Sequence, residues 1–146
     1  AAMQVSEAMT RNVRVANIDE TIEQAAQLMA GLDAGALPVS ENNRLVGMIT
    51  DRDIAIRAVA RGKGPDTAVR DVMTDDVKYC FADQEIEEVT RNMGEVQVRR
   101  LPVIDRDKRL VGILSLGDVA VTTGNGAAGE ALTGISRPGG EHSQSN

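Results

Sequence analysis

Cysteine, histidine and aromatic residues are nearly missing from this sequence, and each shortage excludes a class of function. Cys80 is the only cysteine and His142 the only histidine among 146 residues. Neither an internal disulfide nor a Cys/His zinc cluster can therefore form, and we expect no metal site. A Ser-His-Asp or Cys-His catalytic triad in the folded part is excluded as well. Tyr79 and Phe81 are the only aromatics, so no broad aromatic platform is available for stacking nucleic-acid bases.

Basic charge and long apolar runs are also scarce. The formal net charge of −6 argues against a general nucleic-acid binder, because such a protein needs a basic face to displace counterions from phosphates. No apolar run approaches the roughly 20 residues that a membrane-spanning helix needs. A single thiol without a disulfide partner makes the cytoplasm the expected compartment.

An internal repeat organises what the sequence does contain. "VSEAMTRNV" (5–13) returns as "VRDVMTDDV" (69–77), and "GALPVSENNRLVGMITDRDIA" (35–55) returns as "RRLPVIDRDKRLVGILSLGDVA" (99–120). The offset is 64 residues at first and 65 after one extra residue in a turn. The chain is therefore a tandem duplication. We predict repeat 1 at 5–62, a linker at 63–68, repeat 2 at 69–122 and a flexible Gly/Ser-rich tail at 123–146.

Each repeat shows the pattern β-α-β-β-α, which predicts an α+β fold. A first strand is expected near Val13–Val15, and Asp19 is expected to cap the helix that follows. Two strands joined by a turn at 41–43 come next, and a second helix begins near Asp51. In the second repeat Asp83 is the expected helix cap. Units of this size are too small to bury a core alone, so we expect them to pack about a pseudo-twofold axis.

The paired motif "MT…PV…LVG…[ST]-x-x-D" resembles a tandem pair of CBS domains, the module named after cystathionine β-synthase. The likeness covers about residues 5–122 and is strongest to small stand-alone bacterial CBS-pair proteins. It implies a regulatory module that binds an adenosyl compound in clefts between the two repeats. AMP, ADP and ATP are the expected ligands, with NAD(H) or S-adenosylmethionine as alternatives. It also implies a homodimer and a regulated protein partner whose identity is unknown.

Two tetrapeptides are the main candidates for ligand contact: Thr50-x-x-Asp53 and Ser115-x-x-Asp118. A carboxylate can accept both vicinal hydroxyls of a ribose through charge-assisted hydrogen bonds. A hydroxyl three residues earlier lies on the same side, and a helix N-terminus attracts phosphate. The same pattern is also a capping box, which needs no ligand. Both interpretations remain open, and they are compatible.

Arg99 and Arg100 mark the clearest difference between the repeats, because Gly35 and Ala36 occupy the equivalent positions. Arginine presents a planar fork suited to phosphate oxygens, so the second repeat is expected to take the phosphorylated end of a nucleotide. The alternative is a solvated strand edge paired with Glu95 or another acid.

The residues expected on the adenine side of the ligand are apolar or aromatic. Val13, Val77 and Tyr79 are placed on the first strands, and the two valines can equally serve as core. Pro38 and Pro102 occupy equivalent positions in the two repeats and complete this set.

No nucleophile–base pair, metal set or paired-carboxylate site is visible, which predicts a non-catalytic protein, and the resemblance implies that it is regulatory. We expect an adenine nucleotide as a regulatory ligand and no catalytic cofactor, nucleic acid or membrane. The alternative is a module that dimerises or binds a partner without any ligand, in which the two tetrapeptides only cap helices.

Overall fold

Each repeat forms a three-stranded sheet in the computed structural model, which describes residues 3–96, 100–115 and Val119. The first repeat contains β1 (Ala16–Asn17), α1 (Ile22–Leu32), β2 (Ala36–Glu41), β3 (Arg44–Thr50) and α2 (Asp51–Asp53); the second contains β4 (Cys80–Phe81), α3 (Ile86–Val96), β5 (Arg100–Ile104) and β6 (Leu110–Ser115). The strand orders are β1-β2-β3 and β4-β5-β6. In both sheets the first pair is parallel and the second antiparallel. The predicted α+β class is confirmed.

Turn chemistry sets the register of the two hairpins. Asn42 and Asn43 have positive φ values of 54° and 65°, the conformation that a two-residue hairpin turn requires and that asparagine tolerates. The second hairpin is longer, and the Asp105 carboxylate accepts from the backbone N–H groups of Asp107 and Arg109, both at 2.9 Å. The added length explains why the repeat offset changes from 64 to 65.

The first helix of each repeat begins later than the sequence predicts. Thr21, not Asp19, caps α1: its hydroxyl accepts from Gln24 N–H at 3.2 Å, and the Gln24 side chain accepts from Thr21 N–H at 2.9 Å. Asp19 instead pairs with Arg70, which is 51 residues away along the chain. The Asp19 carboxylate, which the local sequence predicts as the helix cap, therefore binds a distant arginine instead.

Asp83 is drawn away from its predicted capping role in the same manner. It lies three residues before α3 and accepts two hydrogen bonds from Arg106, from Nε at 2.9 Å and Nη2 at 2.7 Å. These hydrogen bonds hold the pKa of the Asp83 carboxyl below its ordinary value. The Arg106 guanidinium also lies 4.0 Å from the centre of the Phe81 ring, a cation–π contact.

The helix after β3 begins at Asp51, as predicted. It starts as α2, continues as a π-helical turn over Ile54–Ala58, and ends as a 3-10 turn over Val59–Arg61. Gly62 ends it with φ 76°, a left-handed conformation that glycine adopts without steric cost.

The chain forms two compact units. Each unit contains the sheet of one repeat together with the opening segment of the other repeat. Among the described residues, one unit joins 3–13 to the chain from Lys78 onward, and the other spans Arg14–Val77. Val5 and Ala8 therefore pack in the core of the second repeat, beside Ile86 and Leu114. Val69 and Val72 pack in the core of the first repeat. We call 3–13 and 67–77 the exchanged segments.

Backbone hydrogen bonds join each exchanged segment to a sheet edge. Thr74 N–H donates to the Met48 carbonyl and Met48 N–H to the Thr74 carbonyl, both at 2.8 Å. Thr10 and Ile113 exchange the same two bonds at 2.8 and 3.0 Å. The exchanged segments thus satisfy backbone groups of β3 and β6 that the hairpins leave unpaired.

Two glycines allow the exchanged segments to approach. A Cβ added to Gly47 would lie 2.7 Å from the Thr74 carbonyl oxygen and 2.8 Å from Met73 Sδ. A Cβ on Gly112 would lie 2.6 Å from Met9 Sδ and 2.9 Å from the Thr10 carbonyl oxygen. The duplicated "MT" and "LVG" motifs therefore contact each other across the repeats.

Cys80 is part of the core next to the first exchanged segment. Its side chain is 3% exposed, and burial raises the pKa of its thiol to about 12. The thiol stays protonated at neutral pH and is a poor nucleophile, since only the thiolate reacts readily.

We expect Gly47→Ala and Gly112→Ala each to lower the free energy of unfolding by about 1–3 kcal/mol, the usual cost of overpacking. Gly31→Ala is the matched control, because nothing lies within 4 Å of its added Cβ and alanine favours a helix over glycine by up to about 1 kcal/mol. Urea denaturation measures all three. Equal stability of Gly47→Ala and Gly31→Ala would contradict the close approach.

Candidate functional site

The junction between β3 and α2 brings Thr50 and Asp53 together. The Thr50 hydroxyl accepts from Asp53 N–H at 2.9 Å, and Asp53 Oδ2 accepts from Thr50 N–H at 3.0 Å. Thr50 has the extended backbone of an N-cap residue, with φ −118° and ψ 162°. The tetrapeptide therefore forms a complete capping box, as one of its two interpretations predicts.

The capping contacts leave part of the Asp53 carboxylate available as a hydrogen-bond acceptor. Oδ2 takes one backbone hydrogen bond, while Oδ1 lies 3.7 Å from Arg57 Nε. An ionised carboxylate has about four acceptor positions, and 13% of the Asp53 side chain remains exposed. Acceptor capacity for a ligand hydroxyl is therefore left at this junction.

Strand register places the start of β5 beside the end of β6. Arg100 is directly opposite Ser115, and Ala36 is directly opposite Thr50. Opposite residues of an antiparallel pair share one face of the sheet, with Cβ atoms about 4.5–5.5 Å apart. None of the ion pairs formed by the described side chains includes Arg100. The second repeat thus has an arginine opposite a serine where the first has an alanine opposite a threonine.

Pro38 and Pro102 lie on the same sheet face as these hydroxyls. Pro38 is opposite Met48 and Pro102 is opposite Ile113, two residues from Thr50 and Ser115 respectively. Because side chains alternate along a strand, Leu37 and Val39 point to the other face, where the core lies. We call the face that carries Thr50 and Pro38, and its counterpart with Ser115 and Pro102, the hydroxyl face.

Val13, Val77 and Tyr79 are not on strands, which corrects the prediction. The first strands begin later, at Ala16 and Cys80, and the three residues precede them. Val13 and Val77 each end the part of the chain that belongs to one compact unit, so these positions connect the units. Both valines are half-buried. Tyr79 is 49% exposed and packs edge-on against Phe81, with ring centres 5.7 Å apart.

Arg99 and Asp118 lie outside the described residues, so their predicted roles stay predictions. The same holds for the tail at 123–146 and for most of the helix expected after Gly117. The second tetrapeptide is therefore described only through Ser115.

Thr10 and Thr74 were missed as site residues by sequence reasoning. Thr74 pairs with Met48 and Thr10 with Ile113, which places both threonines on the hydroxyl face. The signal for them in the sequence is the duplicated "MT" pair, in which a threonine follows each methionine. Thr74 and Thr10 thus add one more hydroxyl-bearing residue to the hydroxyl face of the first and of the second sheet, respectively.

A family model for the CBS domain matches this chain twice, at residues 5–59 and 69–121. The chain belongs to the CBS domain family. As a tandem CBS pair it is 42% identical over 133 residues to the CBS domain-containing protein YhcV of Bacillus subtilis (strain 168), which covers 90% of this chain and 94% of that protein. Hypoxic response protein 1 of Mycobacterium tuberculosis is 43% identical over 114 residues, which cover 77% of this chain and 79% of that protein.

CBS domains also occur as small parts of enzymes. Inosine-5′-monophosphate dehydrogenase of Methanocaldococcus jannaschii is 35% identical over 120 residues, which cover 82% of this chain but 23% of the enzyme. In this chain, by contrast, the two CBS matches take up most of the sequence.

Solved CBS pairs share this fold and include ligand complexes. CBSX2 in complex with AMP has a TM-score of 0.71 and 28% identity, covering 82% of this chain and 95% of that one. A CBS pair with 5′-methylthioadenosine and S-adenosyl-L-methionine has a TM-score of 0.70 and 26% identity, covering 85% and 98%.

Hypoxic response protein I, solved with two coordinated zinc ions, has a TM-score of 0.73 and 38% identity, covering 82% of this chain and 98% of that one. Within residues 3–96 and 100–115 of this CBS pair, no group of three or more His, Cys, Asp and Glu side chains is arranged to hold a metal. Nor does any helix in this part of the chain have the length and apolar character needed to cross a bilayer.

The capping geometry predicts that Thr50→Val lowers the free energy of unfolding by about 0.5–2 kcal/mol, the usual cost of losing an N-cap acceptor. Thr50→Ser keeps the hydroxyl and is the matched control. Thermal denaturation without ligand measures both variants. If valine is as stable as serine at this position, the capping box contributes nothing to stability.

Proposed function

We propose that this CBS pair is a non-catalytic regulatory module that binds an adenine nucleotide at its strand–helix junctions. The observation that carries the proposal is the register that puts Arg100 opposite Ser115. A guanidinium and a hydroxyl on one sheet face suit a phosphorylated sugar. The AMP and S-adenosyl-L-methionine complexes of related CBS pairs support the choice of an adenosyl ligand.

The ribose is assigned to the aspartates of the two tetrapeptides. Asp53 has acceptor positions left after capping, and Asp118 is its sequence counterpart in the second repeat. A carboxylate that accepts two vicinal hydroxyls selects a ribose over a deoxyribose, because a missing hydroxyl leaves the acceptor without a partner. Thr50 lies beside Asp53, and Thr50 and Ser115 both lie on the hydroxyl face.

The phosphates are assigned to the second repeat, where Arg100 and its neighbour Arg99 supply positive charge in an otherwise acidic protein. The first repeat has Gly35 and Ala36 at those positions. Its site is therefore weaker, or suited to a ligand end that carries no phosphate. Pro38, Pro102, Val13, Val77 and Tyr79 are assigned to the adenine.

Signalling requires that the ligand bind two arrangements of the protein with different affinity. We propose that the output is a change in packing or in the association of a homodimer, read by a regulated protein partner in the cytoplasm. NAD(H) and S-adenosylmethionine remain alternative ligands, since both contain the adenosine that the aspartates would recognise.

A thermal-shift panel with AMP, ADP, ATP, NADH and S-adenosylmethionine tests this proposal. At 100 times the dissociation constant a ligand stabilises the folded state by about 2.7 kcal/mol, so the melting temperature should rise clearly. Asp118→Ala should remove most of that rise, and Arg100→Ala should reduce it for phosphorylated ligands only. No shift with any of the five at millimolar concentration would refute nucleotide binding.

Arg109→Ala is the matched control for Arg100→Ala. It removes the same charge from the turn before β6, at the end of the strand away from Ser115. An equal loss of nucleotide binding in both variants would show a general charge effect and contradict a phosphate contact at Arg100.

A ligand-independent interaction module is the second candidate, favoured by two exposed apolar residues. Ile56 is 50% exposed and Val59 68% exposed, both on the helical stretch after the complete capping box. Under this hypothesis sedimentation shows the same dimer with and without AMP, and Ile56→Ser/Val59→Ser dissociates it. A monomer in the wild type, or a dimer that only AMP produces, would contradict it.

A further inference from the structure

Arg57 connects the candidate ribose carboxylate to an exchanged segment. Its Nε lies 3.7 Å from Asp53 Oδ1, and its Nη1 donates to the Met73 carbonyl at 3.2 Å. Met73 is the residue whose side chain rests on Gly47. One guanidinium therefore spans from the start of α2 to the segment that completes the sheet edge.

The two oxygens of Asp53 face different groups. Thr50 N–H fixes Oδ2 at 3.0 Å, but a single hydrogen bond leaves the carboxylate free to turn about that contact. Arg57 lies on the other side, with Nε 3.7 Å from Oδ1 in an ion pair longer than a hydrogen bond, and its own Nη1 donates to the Met73 carbonyl. The positive charge at Oδ1 favours one orientation of the carboxylate about the contact at Oδ2.

The sequence provides this arrangement in one repeat only. The offset of 65 residues that aligns Asp53 with Asp118 aligns Arg57 with Thr122, which has no charge and no fork. The first repeat thus has an arginine four residues after its aspartate, and the second has its arginines at the start of β5.

We propose that Arg57 is a positioning residue for the nucleotide site of the first repeat, acting through Asp53; this inference rests on the proposed function. It orients the carboxylate toward the two sugar hydroxyls. Its own side chain is 44% exposed, so the ion pair adds little to folding stability.

Titration calorimetry with AMP tests the inference in full-length chains that carry Asp118→Ala, which leaves the first-repeat site to be measured. Arg57→Gln should weaken AMP binding by about two- to fivefold, the range expected for a partly exposed charge pair, while Arg57→Lys should recover part of the loss. Arg61→Gln is the matched control and should bind as its parent does, because this exposed arginine lies in the last turn of the same helical stretch.

A ligand without the sugar hydroxyls separates positioning from a structural effect. For 2′,3′-dideoxy-AMP, Arg57→Gln should bind no more weakly than its parent, since Arg57 acts through the contact between Asp53 and those hydroxyls. An equal loss for both ligands, or no loss for AMP, would overturn the inference and leave the proposed function standing.

Two further outcomes are informative. If Asp118→Ala alone abolishes AMP binding, the first repeat has no site and the role of Arg57 is refuted, whereas binding at the second repeat is supported. If the wild-type chain binds no AMP at all, the proposed function and this inference fail together.

Discussion

The contact between Met73-Thr74 and Gly47, with its counterpart between Met9-Thr10 and Gly112, is the constraint on which the rest of the structure depends. It brings the opening segment of each repeat against the sheet of the other, where backbone bonds complete the edge and apolar side chains complete the core. A repeat of this size buries only a modest surface. Exchange of segments adds Val5 and Ala8 to the core of the second repeat and Val69 and Val72 to the core of the first.

The same contact brings the candidate site together. Pairing of Thr74 with Met48 puts a hydroxyl-bearing residue on the face that already carries Thr50 and Pro38. The Met73 carbonyl holds Arg57, which in turn lies beside Asp53. Under the proposed function, capping and recognition would share one carboxylate: Asp53 Oδ2 closes the helix start, and Oδ1 faces Arg57 and keeps acceptor capacity. A ligand at this junction would act directly on a segment that belongs to the other repeat in sequence.

The sequence predicts features with local causes well. The α+β class, the hairpin at Asn42-Asn43 and the Thr50–Asp53 capping box follow from patterns within a few residues, and the duplication follows from a direct comparison of the two halves of the sequence. The sequence misplaces features that depend on residues far away along the chain. Asp19 pairs with Arg70 and Asp83 pairs with Arg106, so neither aspartate caps the helix that it was predicted to cap. The exchange itself was not predicted, because alignment of repeats shows that Met9 is equivalent to Met73 but not that Met73 contacts Gly47.

A crystal structure of this chain grown with excess AMP tests the central claim most directly. The account predicts nucleotide density at a strand–helix junction, with the ribose hydroxyls within hydrogen-bonding distance of the Asp118 or Asp53 carboxylate and the phosphate next to Arg100. AMP bound away from both aspartates, or a structure without bound nucleotide at millimolar AMP, would contradict it.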